Sequence, residues 1–236
     1  MSVLMLIAVI AVLAAAAFFL SRQRAMATAG GNPRLLHSLP GYYGWYGAIT
    51  VALPALLILT LWLVIQPMVI ENRVSANLPG TVVSDASARK LALADIRRVA
   101  GGLDSLVAAG ALTSAEADDP ALEAATLRQR MASVRVALAG EVSQETLDAA
   151  QAYRSDSAWG AALRTIVVLA AAVIGLFWAV RRSNKDFRAR NVVEKGILGP
   201  LIFASTIAVL TTIGIIWSQV SETFDFFSKY PFQDFF

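Results

Sequence analysis

Four runs of about twenty residues with almost no charge constrain this chain more than any other feature. They cover residues 2–20, 47–65 (continuing to Ile70 past Gln66 and Pro67), 161–180 and 196–217. About twenty apolar residues, rising ~1.5 Å each, cross the ~30 Å hydrocarbon layer of a bilayer. Arg164, near one end of the third run, is the one charged residue in all four. Lipid leaves no water for backbone amides, so each run has to be helical. With 57% hydrophobic and 16% charged residues, the chain has too little charge to clothe a water-facing globule. The reading is an all-α membrane protein: four transmembrane helices with a small helical periplasmic domain between helices 2 and 3.

Charge placement orients these helices. A secretory signal carries basic residues ahead of its apolar run; here Arg22 and Arg24 follow the first run. A retained helix with its N-terminus outside is therefore expected. The connection 21–46 holds Arg22, Arg24 and Arg34 and no acid. The connection 181–195 holds Arg181, Arg182, Lys185, Arg188, Arg190 and Lys195 against Asp186 and Glu194. Short basic loops stay in the cytoplasm. Residues 71–160 carry nine basic and twelve acidic residues and belong outside. The expected order is 1–70 for two spans with the inner loop 21–46, 71–160 for a periplasmic domain, and 161–236 for two more spans with the inner loop 181–195. The last of these regions closes on an aromatic periplasmic segment. The location is a bacterial inner membrane, multi-pass, with the N-terminus periplasmic. The net charge of +3 is then an orientation signal, with no nucleic-acid partner. Tyr42, Tyr43, Trp45, Tyr46, Trp62, Trp159, Trp178 and Trp217 fall near the expected boundaries, as a headgroup-level aromatic belt would.

Local signals refine this picture. Pro54 bends the second helix, and Pro200 sits in the first turn of the fourth. Ser205, Thr206, Thr211 and Thr212 either bond back to their own helix or face further membrane helices. In 71–160, Ser84 precedes a helix with Leu91, Leu93, Ile96, Val99, Leu103 and Val107, interrupted at Gly101–Gly102 and Gly110. Thr113 and Glu116 have capping-box spacing ahead of Leu122, Leu127, Met131, Val134 and Leu138, with Gly140 as the stop. Val142 and Ser143 open a third helix that runs into the third span. So small a core leans on the membrane, a partner or its own membrane stalks.

Catalytic chemistry is not expected. The chain has no Cys and one His, His37, which excludes thiol catalysis and multi-histidine metal sites. Asp118–Asp119 reads as charge at a helix N-terminus, and Arg97–Arg98 and Arg128/Arg130/Arg135 as solvated helix faces. No catalytic, cofactor or metal residue is assigned, no cofactor is expected, and the chain is not read as an enzyme.

Residues 181–236 add a resemblance. Val193-Glu194-Lys195, Gly196-Ile197-Leu198 and Ile213-Gly214-Ile215-Ile216-Trp217 are similar to the first core helix of bacterial phosphate ABC-transporter permeases, PstC-like in type. Ser221-Glu222-Thr223-Phe224-Asp225-Phe226-Phe227, and then Tyr230-Pro231-Phe232-Gln233-Asp234-Phe235-Phe236, resemble the segments that follow it. The two extra spans and the outer domain look like the extended proteobacterial form. The resemblance implies an ATP-driven importer of inorganic phosphate. Its partners would be a second permease subunit, a cytoplasmic ATPase dimer and a periplasmic phosphate-binding protein. The chain departs from the family in having no Glu-Ala-Ala-type coupling loop, so it is expected to be the N-terminal portion of a permease and not transport-competent alone. The alternative is an accessory structural subunit scaffolding a larger respiratory or photosynthetic complex. A sensory input module ranks third, because the inner loops are too short for an output domain.

Overall fold

A computed structural model of the chain describes residues 1–76, 86–124, 127 and 142–229. Every regular element among them is helical: α1 (Val3–Thr28), a 3-10 turn (Pro33–Leu35), α2 (Pro40–Ala76), α3 (Ala86–Ala108), α4 (Ser114–Ala117), α5 (Gln144–Arg182) and α6 (Ala189–Lys229). Helices α1, α2, α5 and α6, of 26, 37, 39 and 41 residues, are long and apolar enough to cross a membrane. The protein is thus an all-α membrane protein with four spanning helices and a helical domain between the second and third.

The helices outrun the apolar windows, and three of their ends show local bonds that set them. Ser2 Oγ accepts the Met5 amide at 3.2 Å and starts α1. At its other end α1 passes Arg22 and Arg24 and stops at Gly30, whose φ of +60° favours glycine. There the Gly31 amide donates to Met26 O at 2.9 Å and the Gly30 amide to Ala27 O at 3.1 Å. Ser143 caps α5, its Oγ accepting the Thr146 amide at 3.2 Å. As expected, that helix runs unbroken from the domain into the third span.

Several local expectations need correction. Gly101–Gly102 do not interrupt α3, because Gly102 is buried beside Ala100 and Leu103 and burial there offsets the ~1 kcal/mol that a mid-helix glycine costs. Gly110 does end it: φ is +70°, and the Ala111 amide donates to Leu106 O at 2.9 Å. The Thr113–Glu116 capping box forms, with Glu116 Oε2 accepting the Thr113 amide at 2.8 Å and Thr113 Oγ1 accepting the Glu116 amide at 3.2 Å. It caps only the single turn of α4, because Pro120 drives Asp119 out of helical geometry. Leu122 therefore lies outside that helix. Leu91 is exposed. Pro200 lies well inside α6, because the helix already starts at Ala189, where the Arg190–Glu194 pair at 2.6 Å supports its first turns. Ser84, Met131, Val134, Leu138, Gly140, Arg128, Arg130, Arg135 and 230–236 lie outside the described residues.

The chain divides into two compact units, Met1–Ala11 with Leu53–Val173, and Val12–Ala52 with Ile174–Phe236. The core of the first joins Leu93, Ile96, Val99, Leu103 and Leu106 of α3 to Ile70 and Val74 of α2 and Leu147 and Ala150 of α5. The helical domain between α2 and α5 therefore borrows part of its core from the extensions of those two helices, which is how so few apolar residues suffice. The second unit is centred on Tyr43, Tyr46, Ala179, Ala189 and Val193, with Phe187 packed against them.

Candidate functional site

Three polar arrangements stand out on this frame, two in the first unit and one in the second. The first is where α2 leaves its apolar stretch. Trp62 Nε1 donates to Gln66 Oε1 at 3.0 Å, and Gln66 Nε2 donates to Ser157 O on α5 at 3.3 Å. Gly160 makes room for this bridge, since a Cβ there would stand 2.5 Å from Gln66 Nε2. Both polar atoms of the part-buried amide are thereby satisfied. Alongside runs a cleft of about 450 Å³ lined by Leu61, Trp62, Ile65, Trp159 and Leu163, with Arg73 and Asp156 at one end. Farther along α5, Arg164 places a cation in the third span, and its Nε is buried without a hydrogen-bond partner.

The second arrangement holds α4 against α5. Arg154, 10% exposed, donates through Nε to Asp104 Oδ1 at 2.8 Å and through Nη1 to Asp118 Oδ1 at 2.5 Å. Gln151 Nε2 donates to Ala117 O at 3.0 Å and Asp119 O at 2.9 Å. Asp118–Asp119 thus do not decorate a helix start: Asp118 takes the arginine, and Asp119 Oδ1 accepts the Ala121 amide at 2.9 Å. A crevice opens beside Arg154, lined also by Arg97, Tyr153, Ser155 and Ser157. Its cations are not free to take an anion. Arg97 pairs with Glu71 at 3.4 Å, and Arg98 with Asp95 at 3.1 Å on the solvated face.

The third arrangement ties together the two short basic connections. The His37 amide donates to Lys185 O at 3.2 Å, the Tyr43 hydroxyl to Phe187 O at 2.8 Å, and the Arg190 amide to Ser38 Oγ at 3.2 Å. Tyr46 meets Phe187 ring to ring at 4.6 Å, and the Arg182 guanidinium lies 5.6 Å from the Phe187 ring. Tyr43 and Tyr46 are buried, so they are the core of this latch and not belt residues. Trp45, Trp159, Trp178 and Trp217 are exposed. His37 serves here through its backbone, and its Nδ1 lies 3.2 Å from the same Lys185 oxygen. Tyr43→Phe should cost about 1 kcal/mol and open the connection to trypsin roughly fivefold faster at Lys185 and Arg188 in detergent; an unchanged cleavage rate would remove the latch.

Among the described residues no group of three or more His, Asp or Glu could hold a metal ion. Sequence reasoning missed Arg154, Gln66 with Gly160, and the burial of Tyr43, because each acquires its role from a residue far away in the chain. A polar glutamine between apolar runs, followed by a glycine at the opposite border, was the one available signal for the Gln66 bridge.

The curated proteins and the solved structures give no match to this chain. A family described as phosphate ATP-binding cassette transporter matches residues 7–177, from α1 through the helical domain between α2 and α5 and into α5. That is well over half of the sequence, and it spans both the α2–α5 bridge and the arginine clamp; the chain belongs to this phosphate ATP-binding cassette transporter family.

Proposed function

We propose that this chain is the membrane-embedded N-terminal part of a permease subunit in an ATP-driven importer of inorganic phosphate. In this reading it sits in a bacterial inner membrane with its N-terminus and residues 71–160 periplasmic. Its partners are a second permease subunit, a cytoplasmic ATPase dimer and a periplasmic phosphate-binding protein. It carries out no bond chemistry itself and does not transport alone. The observation that carries the reading is the family match over residues 7–177.

The state of α6 supports it. Beyond Val193 the side chains of this helix lie on the surface, among them Leu201, Phe203, Ile207, Leu210, Ile213 and Trp217. A helix apolar on all sides belongs inside a larger protein or in lipid. Its hydroxyls are compatible with that setting, because Thr206, Thr211 and Thr212 donate to Ile202 O, Ile207 O and Ala208 O at 2.9, 2.9 and 3.0 Å. Back-bonding leaves them no unmet donor, so neighbouring permease helices can close on α6 by van der Waals packing.

Affinity purification of the chain after mild solubilisation should bring down an ATPase and a second permease subunit in stoichiometric amounts. Recovery of neither, with the chain instead stoichiometric in a respiratory or photosynthetic complex, would overturn the transport reading in favour of a scaffolding subunit.

A further inference from the structure

The cleft between α2 and α5 has the form of a lipid site. We propose that it binds one phospholipid of the adjacent leaflet, with an acyl chain along the apolar wall and an anionic headgroup at Arg73.

The wall accepts hydrocarbon because its polar atoms are already used. Gln66 is the polar side chain partway along it, and its amide is satisfied by Trp62 Nε1 at 3.0 Å and Ser157 O at 3.3 Å. What remains facing the cleft is Leu61, Ile65, Leu163 and the rings of Trp62 and Trp159. Indole rings prefer the border between hydrocarbon and headgroups. Along α2 the lining runs from Ile58 to Arg73, about 22 Å of helix, which matches the ~20 Å depth of one leaflet with its headgroups.

The charge at the mouth selects the headgroup. Arg73 is 70% exposed, and its contact with Asp156 is 3.8 Å long, beyond hydrogen-bonding distance. A guanidinium offers five N–H donors, so this loose pair leaves it able to grip a phosphate bidentately. Asp156 disfavours a second negative group and so favours a headgroup presenting its anion toward Arg73 alone. Arg154 makes the useful contrast: it lies nearby on α5 but is held by two carboxylates at 2.8 and 2.5 Å.

The test uses the full chain with Trp45, Trp178 and Trp217 replaced by phenylalanine, leaving Trp62 and Trp159 to report. It is reconstituted into vesicles in which phosphatidylglycerol or phosphatidylcholine carries brominated acyl chains, which quench indole fluorescence on contact. Quenching should show a roughly fivefold preference for phosphatidylglycerol, the effect of one arginine on anionic lipid. Arg73→Gln should reduce that preference to near unity while phosphatidylcholine still quenches, and Arg98→Gln on α3 should leave it unchanged. Equal quenching by the two lipids in the unsubstituted chain, or a preference that survives Arg73→Gln, overturns the proposal. So does quenching by neither, since a protein segment would then fill the cleft.

Discussion

Gly47→Ala should destabilise the second unit by about 2–3 kcal/mol, a large effect for adding one methyl group. A Cβ at this position would stand 2.4 Å from Ala17 O and 2.6 Å from Ser21 Oγ. The first of these is a backbone carbonyl within α1 and cannot rotate away, so the two helices would have to separate. Close-packed interiors resist such shifts, and overpacking costs 1–3 kcal/mol in typical cases. Membrane helices have no water to squeeze out from between them and are held together by van der Waals packing, which separation at this crossing would weaken. Gly214→Ala is the matched control. Nothing lies within 4 Å of a Cβ there, so the substitution should be neutral or should stabilise α6 by up to ~1 kcal/mol through helix propensity. Both can be measured by titrating the purified chain with a denaturing detergent and following helix content. Equal destabilisation by the two substitutions would show that the close approach at Gly47 contributes nothing.

The second large effect is expected at Arg154. Arg154→Leu should cost the helical domain between α2 and α5 about 2 kcal/mol, because it removes charge-assisted hydrogen bonds to two carboxylates at once. The loss is no larger because Asp104 and Asp118 are 67% and 50% exposed, so both can turn to water once the arginine has gone. Asp104→Asn or Asp118→Asn alone should cost less than half as much, since each leaves the guanidinium one carboxylate. Hydrogen exchange over residues 110–121 reports the change, and protection there should fall some thirtyfold in Arg154→Leu while the spans stay protected. If exchange rose equally across α3 and α5, the arginine would be stabilising the whole domain core and not the α4 turn.

These two positions show how far sequence reading reaches. The glycine at 47 was visible only as the first residue of an apolar run, and Arg154 only as one charge among many. Their importance rests on Ala17 and on Asp104 and Asp118, none of which is near them in sequence. The same holds for Tyr43. Its place beside other aromatics near a span boundary suits a belt residue, yet the hydroxyl finds Phe187 O at 2.8 Å and the ring is buried. The helical continuity of α5 and the capping box at Thr113 were legible, because each depends on bonds between residues three or four apart.

Lipid solvation is a local matter. Twenty apolar residues in a row must become a helix across the bilayer whatever else the chain does, and basic residues beside them bias its direction. The spans, their number and the helical class therefore stand in the residues themselves. Which glycine lets two backbones touch, which arginine is clamped and which is left exposed at the mouth of a cleft depend on how the helices are set against each other. That register follows from shape complementarity along their whole length, and no short stretch of residues encodes it.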